Sequence, residues 1–558
     1  MKGIVQEIRE RLAAALESAV NQAAAKGLLP VTALPPFTVE VPREKEHGDF
    51  AANLAMLLAR AARSAPRRIA EVLVNCLDLT GIPVEKVEVA GPGFINFYLH
   101  PRWVLPELPR IVQAGDDYGR ADVGGGMRVQ VEFVSANPTG LLHMGNARGA
   151  ALGDSIAAIL EFAGYRVTRE YYINDAGNQI ENFARSLEAR YLQLLGRPAE
   201  VPEEGYHGED LIDTARNFVA LYGDRYLEAP AEERRRVLAE YALKEKLAAI
   251  RRALEDFGVR FDVWFSEQSL HDSGEVEETI AILRERGYLY EHEGALWFRA
   301  TAFGAEKDEV LVRKNGVPTY FAADIAYHRN KFRRGFERII NIWGADHHGH
   351  VARMKGAVAA LGYDPGALEI VIMQLVRLYR GGELVRMSKR TGRFVTLEEL
   401  VEEVGRDAAR YFFVMRSADS HLDFDLDLAK AQSNENPVYY IQYAHARICS
   451  ILRQNNAPLP PPEAVDLGPL ETEAELALAR RLADFPEEVV ACARDLAPHR
   501  LARYLHEVAG LFHSFYNSHR VLTADRRLTE ARLLLAGATR VVLKNGLRLL
   551  GLSAPERM

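Results

Sequence analysis

The stretch from Arg128 to Tyr172 restricts the possible folds of this 558-residue chain more than any other. Arg128 to Val134 alternates and is rich in β-branched residues, which predicts a strand. Pro138-Thr139-Gly140 makes a turn, Ala147 to Phe162 reads as a helix of small residues, and Tyr165 to Tyr172 as a second strand. Strand, helix and strand over about 45 residues is the pattern of a parallel βαβ unit. The strand pattern resumes at Glu309–Arg313, Ile339–Trp343 and Glu369–Met373. In between, the charged, helix-dominated residues from about 182 to 300 predict an insertion into that sheet.

Other units flank this α/β region. In residues 1–112, Leu54, Leu57 and Leu58 recur at helical spacing after Asp49, a candidate N-cap. Val87 and Val89, then Gly91-Pro92-Gly93 and Phe94 to Tyr98, read as strand, turn, strand. Gly115–Gly119 and Gly124–Gly126 predict a flexible junction. From about residue 400 the pattern is helical, broken by a loop at Asn455–Pro462. The expected division is a small α/β domain over 1–112, a parallel-sheet domain over 113–427 and a helical domain over 428–558. A chain of this length supports about three to four such cores.

Composition excludes several classes. There is no signal-peptide pattern and no apolar run of the ~18 residues a membrane span needs. Three scattered cysteines, Cys76, Cys449 and Cys492, form neither a disulfide framework nor a CxxC site. A cytoplasmic protein without membrane contact is expected. A net charge of −8 argues against indiscriminate nucleic-acid coating, but residues 476–558 carry 13 Lys and Arg against 8 Asp and Glu. That local excess fits either a solvated helical face or a localised polyanion contact.

Two segments carry candidate phosphate chemistry. In Pro138 to Asn146, a turn opens a helix whose N-terminal amides attract phosphate. Gly140 and Gly145 allow close backbone approach, His143 can donate to a phosphate oxygen, and Asn146 adds an amide. The second segment, a loop over 381–393, holds Arg386-Met387-Ser388-Lys389-Arg390, where Lys389 could neutralise a leaving pyrophosphate. Each alone is compatible with an ordinary turn or an exposed basic loop.

Together the two segments resemble the class I aminoacyl-tRNA synthetases. His143-Met144-Gly145-Asn146 matches the HIGH signature and Arg386-Met387-Ser388-Lys389-Arg390 the KMSKS signature. Longer stretches narrow the resemblance to the arginyl-tRNA synthetase family: 132–150, 169–180, 257–267, 320–331, 438–448, 512–522 and the closing LGLSAPERM. The likeness covers essentially the whole chain. It departs from pattern at Asn146, in place of the second histidine, and at Arg386 and Arg390.

The resemblance implies a Rossmann-like catalytic domain with a helical insertion, an N-terminal domain that contacts tRNA and an all-α anticodon-binding bundle. It implies ATP and Mg²⁺, L-arginine and tRNA-Arg as partners, a monomer, and bound tRNA as a requirement for the first step. Catalysis falls to His143, Asn146 and Lys389. ATP contacts fall to Gly140, His143, Gly145, Asn146, Met387, Ser388 and Lys389. By motif position Glu132, Asn137, Tyr320 and Asp324 resemble the arginine-binding residues, with Asn174 and Asp175 at the rim. A guanidinium pairs with carboxylates in fork geometry; the preferred split gives it to Asp324 with Tyr320 and the α-amino and carboxylate ends to Glu132 and Asn137, a partly exchanged split being the alternative.

Asp346, His347 and His350 follow a strand, where adenosine or arginine contact is preferred over a metal; no metal site is expected. For tRNA, Phe94 and Asn96 are candidates in the N-terminal unit. Tyr439, Tyr440, Tyr443 and His445 could stack on anticodon bases or serve as helix core. Two other readings are a superfamily member that joins a different acid to AMP, and a tRNA-binding paralogue without catalysis. The first conflicts with the acidic pocket. The second would show damage at His143, Asp324 or Lys389, and these residues are intact.

Overall fold

The computed structural model describes residues 3–31, 33–42, 44–385, 395–455 and 457–558. The N-terminal unit packs the helices Ile4–Ala25, Leu54–Ala62 and Pro66–Cys76 on a four-stranded antiparallel sheet. Leu54 and Leu58 are buried while Leu57 faces solvent. The helix is capped at Asn53, not Asp49; the Asp49 carboxylate instead accepts the Leu99 amide at 2.8 Å. Val84–Ala90 and Phe94–Leu99 form the expected hairpin, with Gly91 and Gly93 at positive φ in its turn.

The central domain is a parallel sheet of five strands. In chain order its elements are β1 (Arg128–Glu132), α1 (Met144–Phe162), β2 (Arg166–Ile173), β3 (Val263–Ser266), α2 (Tyr320–Arg333), β4 (Arg338–Gly344) and β5 (Leu368–Met373). The sheet order is β5-β4-β1-β2-β3, so the winding reverses between β1 and β4. Such a switch point opens a crevice beyond the carboxyl ends of the strands. β1 is buried on both faces, as parallel strands covered by helices are. It ends at Glu132, two residues short of the expected Val134, because Val134 (φ 68°) and Ser135 (φ 42°) turn the chain into the left-handed region.

The insertion is shorter than the sequence pattern implies. Helices Asn178–Leu194, Glu209–Tyr222 and Ala231–Asp256 share a core of their own around Phe183, Phe218 and Leu238. The parent sheet then resumes at β3, well before residue 300. Glu309–Val312 does not join that sheet; it pairs antiparallel with Ala295–Phe298 in a separate three-stranded sheet.

The last third is helical, with α3 (Pro437–Gln454), α4 (Pro498–Ser518) and α5 (Arg526–Leu549) as its longest members. Past residue 400 one strand intrudes among the described residues: Leu422–Asp425 pairs parallel with Val376–Arg380. The junction at Gly115–Gly119, expected to be flexible, is clasped by α5. Asn545 donates to the carbonyls of Gly115 (2.9 Å) and Tyr118 (3.1 Å), and Lys544 pairs with Asp116 at 2.8 Å.

Candidate functional site

The N-terminus of α1 opens into the crevice and is fastened by its own residues. His143 is the N-cap: its Nδ1 accepts the Gly145 amide at 3.1 Å, and its backbone N–H donates to Asn146 Oδ1 at 3.1 Å. Acceptance at Nδ1 puts the ring proton on Nε2. Asn146, the off-pattern position, therefore completes a capping box. A Cβ at Gly145 would come within 3.0 Å of the His143 ring, so a side chain there would press on the cap. Gly140 lies in open space. Deeper in α1, fully buried Arg148 donates to the carbonyls of Gln374 (2.7 Å), Ser417 (2.9 Å) and Ser420 (3.0 Å), which ties the helix to the end of β5.

Met387, Ser388 and Lys389, with Arg386 and Arg390, lie outside the described residues. The chain just beyond them is well placed. His143 and Thr396 form an antiparallel bridge, and Leu397 N–H donates to the Leu142 carbonyl at 2.9 Å. Thr396 and Leu397 are thus held against the start of α1. After β4, Asp346 and His347 are exposed; His347 Nδ1 lies 3.1 Å from Asp346 Oδ1. The His347 ring stacks on His350, which stacks on Phe321. Burial holds the His350 imidazole below its usual pKa. Among the described residues no group of three His, Cys, Asp or Glu is placed to hold a metal ion.

The acidic pocket is built by α2 lying across the sheet. Asn341 on β4, Glu132 on β1 and Glu170 on β2 stand in register as one polar row. Tyr320, Asp324, Tyr327, His328 and Lys331 recur at helical spacing along one face of α2. Tyr327 Oη donates to Glu170 at 2.6 Å, and Arg334 pairs with Glu170 at 2.5 and 2.7 Å. Lys331 Nζ donates to Glu132 Oε2 at 2.6 Å and to Asn341 Oδ1 at 2.8 Å. Ser135 Oγ donates to the other Glu132 oxygen at 3.0 Å. Tyr320 stands at the mouth, 40% exposed, with its ring against Gly177. Asn137 lies in the loop after β1, exposed to solvent.

One candidate residue was missed by sequence reasoning. Glu267, only 4% exposed, follows β3 and accepts the Tyr172 hydroxyl at 2.9 Å. Asp175 fixes this turn by accepting Ser266 Oγ (2.6 Å) and the Gln268 amide (2.9 Å), so it supports the pocket rather than lining it. Asn174 Oδ1 is buried without a hydrogen-bond partner. Burial pushes the Glu267 carboxyl up to about 7, with Asp175 adding to the effect. Asp324 is likewise pushed up to about 7, by burial and then by the charges of Glu267 and Glu132. Among the described residues no lysine or arginine is bonded to either carboxylate, and acids in this condition suit a cationic ligand. The signal available in the sequence was only that Glu267 ends the family-like stretch 257–267.

The nucleic-acid candidates divide. Phe94 is exposed (38%), but Asn96 is buried (3%) inside its strand and cannot offer its side chain to a ligand from there. Tyr439 and Tyr443 stack at 6.1 Å, and Arg447 lies over Tyr443 and Tyr516. Tyr440 packs on His506 and His513. His445 is core: it is 3% exposed, and Nδ1 bonds the Pro555 carbonyl at 2.9 Å.

Comparison with known proteins agrees along the whole chain. Residues 6–99 match the arginyl tRNA synthetase N terminal domain, 107–420 the catalytic domain of class I tRNA synthetases (R), and 441–558 the DALR anticodon binding domain. Arginine–tRNA ligase of Desulforamulus reducens is 65% identical over 561 residues, covering 100% of both chains. That of Desulforudis audaxviator is 66% identical over 568 residues, again covering 100% of both. The solved arginyl-tRNA synthetase of Thermus thermophilus is 27% identical, with a TM-score of 0.74 over 98% of this chain and 99% of that one.

Proposed function

Since the chain belongs to the arginyl-tRNA synthetase family and joins arginine to tRNA-Arg with ATP, we propose how its residues divide that work. The observation that carries the proposal is that Asp324, partly exposed, and buried Glu267 act on one another and are both held near neutral pKa, with no lysine or arginine bonded to either among the described residues. They take the two edges of the arginine guanidinium, and Tyr320 closes over it. Glu132, held by Lys331 and Ser135, forms the anionic wall toward the α-ammonium, and Asn137 bonds the arginine carboxylate end.

The arginine carboxylate attacks the α-phosphorus of ATP in line, forming arginyl-adenylate and releasing pyrophosphate. No protein nucleophile is needed; positioning and charge stabilisation carry the rate. Nε2–H of His143 and the amides of α1 face the phosphates, and Lys389 meets the charge on the leaving pyrophosphate. Asp346, His347 and His350 flank the adenosine. When bound, Mg²⁺ would supply charge neutralisation for the polyphosphate of ATP. The 2′-hydroxyl of the terminal tRNA adenosine then attacks the adenylate carbonyl, releasing AMP. Tyr439, Tyr440 and Tyr443 receive anticodon bases, and Phe94 contacts tRNA from the N-terminal unit.

We further propose that the enzyme acts as a cytoplasmic monomer and requires tRNA for activation. Its three cysteines are free and buried, and no described helix is long and apolar enough to cross a membrane. The deciding experiment is ATP–pyrophosphate exchange across the amino acids, with and without total tRNA. Exchange should appear with arginine alone among them, and only when tRNA is present. Asp324→Ala should abolish it while tRNA affinity stays within about twofold. Loss of tRNA binding instead would remove Asp324 from the arginine site.

A further inference from the structure

Lys331 takes no part in the chemistry above, yet its side chain is 0% exposed and sits under the pocket wall. Its ammonium donates to Glu132 Oε2 and Asn341 Oδ1 and lies 4.3 Å from the Tyr327 ring centroid. We propose that Lys331 is a positioning residue for arginine recognition, which confines the uncompensated negative charge of the pocket to Asp324 and Glu267 by pairing with Glu132. The inference rests on the assignment of those two carboxylates to the guanidinium.

Three acids act on one another here: the charges of Glu132 and Glu267 both bear on Asp324, and Lys331 opposes them. One guanidinium cannot satisfy three carboxylates, so a free Glu132 would compete for it. A buried carboxylate without a cation is also costly in itself. Neither neighbouring base can substitute. Arg334, the other cation beside this row, is spent on Glu170. His328 is neutral, its pKa lowered to about 3 by burial and by Lys331.

The same bonds transmit position. Asn341, held by Lys331, donates to His328 Nε2 at 2.7 Å, and His328 Nδ1–H donates to the Asp324 carbonyl at 2.7 Å. Lys331 and Asp324 stand two turns apart on one face of α2, and this chain of side chains spans the gap. Lys331 thus faces Glu132 on β1, Asn341 on β4, Glu170 on β2, and Tyr327 and Arg334 on its own side. The acid pair faces Tyr172 on β2, Asp175 after it, and His271 at 3.9 Å from Glu267.

The test is the pH dependence of arginine KM in tRNA-dependent exchange. In the unaltered enzyme KM should fall as pH rises to about 7, by up to about a hundredfold per pH unit, and then level off, as both protons leave the pair. In Lys331→Met the bend should move about one unit alkaline, with ATP KM unchanged, and Lys331→Arg should return it. A Lys331→Met enzyme with the original bend, or with arginine and ATP KM raised equally, overturns the inference and marks a structural ion pair. Should Lys331→Met fail to fold, Lys331→Met/Glu132→Gln removes both charges. Its bend should stay near 7 whatever its absolute KM, and a displaced bend there also overturns the inference. An unaltered enzyme with no bend near 7 overturns the guanidinium assignment itself.

Discussion

His143 and Thr396 bridge backbone to backbone, so the cap of α1 and the residue that caps the helix Leu397–Val404 are a single piece of structure. Thr396 Oγ1 accepts the Glu399 amide at 3.1 Å, and Glu399 Oε2 accepts the Thr396 amide at 2.8 Å. Whatever shifts one end of this bridge shifts His143, the histidine proposed to face the phosphates.

Thr396→Ala should therefore cost about 1 kcal/mol of stability, the usual worth of such a cap. It should also raise ATP KM while arginine KM stays put. Denaturant unfolding and exchange kinetics check the two parts, and an unchanged ATP KM would separate Thr396 from the nucleotide site.

With arginine on the acid pair as proposed, its binding and the folding of the chain should respond oppositely to pH. Asp324 and Glu267 ordinarily titrate at 3.8 and 4.5 but near 7 in the folded chain. Between those values the folded state binds more protons than the unfolded one, so these groups lower the stability of the ligand-free protein as pH rises toward 7. Guanidinium binding needs both groups ionised and strengthens over the same range. The arginine-induced rise in Tm should be larger at pH 8 than at pH 6. Equal shifts at both would show that the pair does not titrate there.

Gly551→Ala should be among the most damaging single changes far from the pocket. Gly551 has φ 68°, and a Cβ there would collide with the guanidinium of Arg410. That buried arginine donates to Leu550 O (3.1 Å), Phe257 O (3.2 Å) and Asp154 Oδ2 (2.6 Å), joining the helical third to α1. Displacing it leaves a buried charge unpaired, worth about 3–5 kcal/mol. Unfolding measurements check this, and a loss below about 1 kcal/mol would mean that the site yields.

Tyr443→Ala and His445→Ala should fail in different ways. Tyr443 lies partly open between Tyr439 and Arg447, so its loss should weaken tRNA binding about 5–100-fold, the span of one stacked base. His445→Ala should lower stability and leave tRNA affinity nearly unchanged, because the imidazole is spent on Pro555. Filter binding and thermal melts separate the two, and the reverse pattern would exchange their roles.

Much of this was legible in advance because parallel strands and strand-to-helix turns leave strong local patterns. β1, α1, β2, β4 and β5 are long and bounded by turn residues. β3 is four residues, hidden among helical text, and only pairing with β2 shows that it belongs to the sheet. Glu267 has no local signature either; Tyr172 and Asp175 must arrive from another strand before it becomes a site. His445 is instructive in the other direction. It shares a helical face with Ile441, Ile448 and Cys449, all buried, so its spacing fits the core better than a stacking surface. Asn96 sits between buried Ile95 and Phe97, a run that marks a strand covered on both faces.

The clasp of α5 on Gly115–Tyr118 bears on how the chain is made. Lys544 meets a partner 428 residues upstream, and Arg9 reaches Glu487 at 2.6 Å in the same manner. On the ribosome the first unit and its junction emerge long before the surface that receives them. Until then the apolar side that will meet the helices stays open, a period when incomplete chains are prone to associate. The three regions are accordingly a closed loop of mutual supports rather than beads in series. A chain cut short before α5 loses the anticodon helices and, with them, the fastening of its own beginning.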